Sequence, residues 1–105
     1  LNVHVNRIPI GGVVTKVEWT NPHAHFYIDV TGPSGTAVNW QFELASPNGL
    51  VRRGWTRTSL KPGDAVTVDA FLARDGSHYA NAVTVKLSDG RKVFAGSSVD
   101  GGAAQ

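Results

Sequence analysis

Between His23 and Thr31 apolar and polar residues alternate without a break, with Ala24, Phe26, Ile28 and Val30 set against His23, His25, Tyr27 and Asp29. A period of two is the side-chain period of a β-strand, so one face of this segment is buried and the other stays polar. The pattern returns from Thr36 to Leu44, where Val38, Trp40, Phe42 and Leu44 oppose Asn39, Gln41 and Glu43. Gly32-Pro33-Ser34-Gly35 lies between the two runs and has the chemistry of a hairpin loop. The spacing therefore predicts one hairpin with an apolar face and a polar one.

The rest of the chain reads as further short strands. Val3 and Val5 suit an N-terminal strand, and Pro9 with Gly11-Gly12 is expected to bend the chain before a second strand from Val13 to Trp19. That strand sets Val13, Thr15, Val17 and Trp19 on one face and Val14, Lys16 and Glu18 on the other; Trp19 and Trp40 are expected in the core. Asn21-Pro22 is a turn. Ser46-Pro47 is an N-cap followed by proline at the first helical position, and Leu50, Val51 and Trp55 are expected on one side of a short helix that Gly54 ends. Leu60-Lys61-Pro62-Gly63-Asp64 is a turn into a strand bearing Val66, Val68, Ala70 and Leu72. Asp75-Gly76 turns the chain toward Val83, Val85 and Leu87, and Ser88-Asp89-Gly90-Arg91 returns it to a short strand at Val93 and Phe94.

A helix between the third and fourth strands of an all-β chain is the layout of a small Greek-key barrel, OB-fold-like. A cupin-like jelly roll is the alternative, with His23, His25, Asp29, His78 and Asn81 as its polar residues. Residues 1–94 are expected to form a single domain, and Gly, Ala and Ser from Ala95 to Gln105 a tail with little to bury. The 105 residues contain no cysteine, which removes disulfides, thiolate metal sites and thiol nucleophiles. The formal net charge is only +2, too small for a nucleic-acid partner. No run approaches the roughly 18 apolar residues of a membrane-spanning helix. A first residue of Leu1 in place of Met suggests a processed product, hence periplasmic or secreted.

The polar face of the hairpin carries the candidate chemistry. With Val30 opposite Thr36, His25 faces Gln41, His23 faces Glu43 and Tyr27 faces Asn39. Cross-strand partners stand about 4.5–5.5 Å apart at Cβ, so two imidazoles, an amide and a carboxylate can converge on one cation. Polar side chains of this kind are also the ordinary filling of a solvated face. His23, His25, Gln41 and, from the first strand, His4 are the expected metal ligands, with copper favoured and zinc the alternative. Tyr27 and Glu43 are the expected catalytic neighbours. Two histidines and weak further ligands leave coordination positions open, which extends the expectation to a copper-dependent oxidoreductase acting on an extracellular polysaccharide, with a homodimer enlarging the surface. A metal-free ligand-binding module with Tyr27, Asn39 and Gln41 as contact residues, or a metal carrier without catalysis, is the competing reading.

Val-Glu-Trp-Thr-Asn-Pro-His at 17–23, Asn-Trp at 39–40, Ser-Pro-Asn at 46–48, Arg-Arg-Gly-Trp at 52–55 and Leu-Lys-Pro-Gly-Asp at 60–64 occur in one order along the chain. In these motifs, between Gly12 and Gly90, the sequence resembles a domain-of-unknown-function family of small exported bacterial proteins. The resemblance implies a small exported barrel and supplies no reaction. The chain departs from the family pattern in Leu1 to Ile10, where a histidine-bearing lead-in is usual, and at His25, where an aromatic residue is common.

Overall fold

A computed structural model of the chain describes residues 7–94. His4, the expected strand at Val3 and Val5, and the expected tail from Ala95 to Gln105 lie outside the described residues. The elements follow in the order β1 (Arg7–Glu18), β2 (His25–Thr31), β3 (Ala37–Glu43), α1 (Pro47–Arg52), β4 (Ala65–Leu72), β5 (Tyr79–Leu87) and β6 (Lys92–Phe94). The fold is mostly β, with strand neighbours in the order β3-β2-β1-β4-β5-β6. One further pairing, parallel, joins β3 to β5 through Gln41 with Tyr79 and Glu43 with Asn81, and so completes a ring of hydrogen-bonded strands.

The hairpin forms as its alternation requires, with Ala24, Phe26, Ile28, Phe42 and Leu44 fully buried and the Phe26 and Phe42 rings stacked at 5.0 Å. Burying side chains of this size stabilises by about 1.5–3 kcal/mol each, so the hairpin's inner face is the centre of the core. Its register corrects the expected one by two residues. His25 pairs with Glu43, Tyr27 with Gln41 and Asp29 with Asn39, because Val30 meets Val38 and not Thr36. The turn is centred one residue later than expected, on Ser34, since Thr31 pairs with Ala37. Gly32 N–H donates to Thr36 O at 3.1 Å, and Gly35 adopts φ 86°, a left-handed conformation that glycine takes without strain. A shift of two keeps every side chain on its face, so the polar set survives the correction.

β1 departs further from expectation. It is one continuous strand through Pro9, Gly11 and Gly12, where a bend between two strands was expected. The cause is that β1 serves two partners in succession: Arg7 to Val13 pair with β4, and Val13 to Glu18 pair with β2. Near the handover the backbones crowd, and a Cβ added to Gly12 would lie 2.3 Å from Asp29 O. A bulge at Thr15 then shifts the register between Val14 and Lys16. The expected face of Val13, Thr15, Val17 and Trp19 is split accordingly. Val14 is buried, Val13 is 45% exposed, and Val17 and Trp19 are only partly buried against the core. Trp40 is likewise partly buried, whereas Trp55 is buried.

The helix starts where its cap predicts, with the Ser46 hydroxyl accepting from Gly49 N–H at 3.2 Å and Pro47 in the first turn. Leu50 and Trp55 are buried, but Val51 is 56% exposed, contrary to the expected shared side. Consecutive helical residues point about 100° apart, so a one-and-a-half-turn helix cannot seat both Leu50 and Val51 on the core. On β5, Ala80 and Ala82 are buried, which leaves Tyr79 and Asn81 on the outer face beside Gln41 and Glu43.

Candidate functional site

Strand registers arrange the outer face in rows. Glu18, His25, Glu43 and Asn81 stand side by side on β1, β2, β3 and β5, and Lys16, Tyr27, Gln41 and Tyr79 form the next row. Adjacent strands lie about 4.8 Å apart, so His25 is flanked by a carboxylate on either neighbour. Farther along, Asp29 accepts from the Asn39 amide at 2.9 Å.

Two tyrosine–glutamate pairs tie the rows together. Tyr27 Oη donates to Glu18 Oε1 at 2.9 Å, and Tyr79 Oη donates to Glu43 Oε1 at 2.6 Å. The hydrogen bond from Tyr27, then that from Lys16, holds the Glu18 carboxyl below the usual carboxylate range. Partial burial and the acceptor Glu18 push the Tyr27 hydroxyl up. The same two causes, burial first and Glu43 second, push Tyr79 up much further. Lys16 Nζ lies 3.2 Å from Glu18 Oε2 and 5.4 Å from the centre of the Tyr27 ring.

His23 lies just ahead of β2, where Ala24 extends the ladder by bonding to Ala45 O and accepting from Leu44 N–H. Its Nδ1 meets the second oxygen of Glu43, whose side chain is only 15% exposed. Glu43 is thus gripped by a tyrosine and a histidine, and the His25 side chain makes no hydrogen bond among the described residues. Asn81, next to Glu43 in the row, has a buried Oδ1 without a partner among the described residues.

The structure therefore brings together His23, His25, Tyr27, Gln41 and Glu43 on one face. Gln41 lies beside Tyr27 and not opposite His25. His78 is not part of the cluster; its ring packs against Trp40 with centroids 4.9 Å apart. Among the described residues no group of three or more His, Asp or Glu side chains is placed to hold a metal ion. Sequence reasoning missed Glu18 and Tyr79 as members of the site. Glu18 was legible in the alternation of β1, since it falls on the polar side with Lys16. Tyr79 reaches Glu43 only through the parallel β3–β5 pairing, which no local pattern announces.

No curated protein and no solved structure matches the chain. The model of the family of unknown function DUF6152 matches residues 4–82, about three quarters of the sequence, and the chain belongs to that family.

Proposed function

We propose that the outer face of β2 and β3 binds a single transition-metal ion, copper favoured and zinc the alternative, through His23 and His25. The observation that supports this reading is the contact of His23 Nδ1 with Glu43. A metal-ligating histidine commonly donates one ring N–H to a carboxylate, which fixes the tautomer and leaves the other nitrogen as ligand. Glu43, itself held by Tyr79, would orient His23 in this way, with His25 two residues on along the same polar side. The protein in this reading is an exported Greek-key barrel of the OB kind built from β1 to β5 with β6 added at the edge, since β3–β5 pairing with a helix between β3 and β4 is what that layout requires. Oxidation of an extracellular polysaccharide is its catalytic extension, to be tested only on protein that holds copper.

The test is a Cu(II) titration followed by paramagnetic resonance. Nitrogen hyperfine structure is expected, and it disappears in the His23→Ala/His25→Ala double variant. A spectrum without nitrogen coupling, or one unchanged in the double variant, overturns the proposal. The second reading, a ligand-binding face without metal, is favoured by the lack of any ready-made trio of metal-binding side chains among the described residues. It predicts a thermal midpoint unaltered by either chelator or copper.

A further inference from the structure

A groove of about 590 Å³ runs beside the C-terminal half of β1; it shares Lys16 and Glu18 with the polar rows, and neither His23 nor His25 lines it. β4 begins only at Ala65, so β1 beyond Val14 has no β4 residue opposite it. The connection from α1 to β4 forms the facing wall instead. It is fastened to β1 by Gly63 N–H to Val14 O and Val14 N–H to Asp64 O, both at 2.8 Å. Lys61 N–H donates to Asp64 Oδ2 and Thr56 N–H to Ser59 Oγ, so this wall is built from local hydrogen bonds before any ligand arrives.

The lining combines Trp19 and Leu60 with Lys16, Arg57 and Lys61 against one carboxylate, Glu18. Glu18 is already engaged by Tyr27 and Lys16. Arg57 and Lys61 make no ion pair among the described residues. Three cations and one anion give the groove a local charge of +2, which equals the formal net charge of the whole chain. With Lys16 and Glu18 paired to each other, Arg57 and Lys61 are the two uncompensated cations of a groove that also offers an indole. The volume lies within the roughly 300–1,000 Å³ of small-molecule sites.

We propose that this groove binds a short run of acidic sugars, with uronate carboxylates held by Arg57 and Lys61 and a pyranose ring lying along Trp19. Carboxylate is favoured over phosphate because the positive groups are separate side chains and not a cradle of backbone N–H groups at a helix N-terminus. Sugar is favoured over an aromatic acid because the lining mixes threonines and charged groups with apolar ones, and Trp19 is its one aromatic residue, so no second aromatic ring lines the groove to sandwich a flat ligand. The proposal requires no bound metal; it shares only Lys16 and Glu18 with the polar rows that carry the metal reading.

The test is calorimetric titration in chelator with trigalacturonate, its neutral methyl ester, benzoate and inorganic phosphate as separate arms. Indole fluorescence is followed in parallel in the parent and in Trp19→Phe. Trigalacturonate is expected to bind and to weaken with salt. Two exposed ion pairs together account for about a 10-fold loss of affinity, both on esterification and in Arg57→Gln/Lys61→Gln. Those substitutions lie on an exposed loop, and an unchanged melting curve confirms that the fold is intact. Equal binding of the ester, undiminished binding by the double variant, or no heat up to about 10 mM overturns the proposal. Tighter binding of benzoate or phosphate than of trigalacturonate also overturns it, by assigning the groove to another class of anion.

Discussion

Gly11 and Gly12 are adjacent in β1, yet replacing each with alanine should have opposite effects. A Cβ at Gly12 would stand 2.3 Å from Asp29 O and 3.0 Å from its carbonyl carbon, both backbone atoms of the neighbouring strand. Relief to an ordinary contact needs β1 and β2 to separate by about 1 Å, at the point where Val13 pairs with Asp29 and Val14 with Ile28. Overpacking of this kind costs about 1–3 kcal/mol, and each ladder hydrogen bond loosened adds about 1 kcal/mol. We therefore expect Gly12→Ala to destabilise the domain by about 3–5 kcal/mol, a large share of the 5–15 kcal/mol typical of a single domain. The melting midpoint should fall by roughly 15–30 °C. At Gly11 the nearest atoms to an added Cβ are Thr67 Oγ1 and Val66 O, both at 3.7 Å. With no clash, Gly11→Ala should stabilise by about 0.4–1 kcal/mol by restricting the unfolded chain. Urea unfolding with linear extrapolation and thermal melts measure both changes. A Gly12→Ala midpoint within about 3 °C of the parent, or a Gly11→Ala loss of similar size to that of Gly12→Ala, would refute the reasoning.

Two further outcomes follow from the polar rows. Tyr79→Phe removes the donor to Glu43 while leaving that carboxylate mostly buried, and should cost about 1–3 kcal/mol in urea unfolding; an unchanged midpoint would mean that the bond contributes nothing. For pH, Glu18 has a native value depressed below 4.5 by Tyr27 and Lys16, so its contribution is present above 4.5 and is lost as pH falls through the lower native value. Asp75 and Asp89, depressed by bonds to Ser77 and Arg91, act with the same sign. Tyr27 and Tyr79 are raised above 10, so their contribution is full below pH 10 and fades as pH rises through the raised native values. Urea midpoints measured from about pH 7 down to about pH 3 should therefore fall less steeply in Tyr27→Phe than in the parent, and identical slopes would contradict the assignment.

Much of the inner architecture could be read from local pattern. The alternation at 23–31 and 36–44 put Phe26, Ile28, Phe42 and Leu44 in the core, because a one-residue slip would expose them all to water. Ser46-Pro47 announced α1 because the cap is a bond between residues three apart. The same local logic kept His23, His25, Tyr27, Gln41 and Glu43 on one polar face despite the register error of two. That error arose in the turn, where the conformation of Gly35 and the bond from Gly32 to Thr36 set the pairing.

The sequence by itself determined which residues face inward along each strand of the β2–β3 hairpin, and where the short helix starts, since both depend on neighbours a few positions away. Only the tertiary structure decided that β1 runs unbroken past Gly12 and is re-phased at Thr15, and that Tyr79 meets Glu43 across 36 positions of chain. It also decided that Arg57 and Lys61 face the end of β1 across a groove. Those outcomes depend on which strands lie beside one another. Strand adjacency comes from closing the ring so that one core is buried on every side, and periodicity within a single segment carries no information about the segment that will cover it.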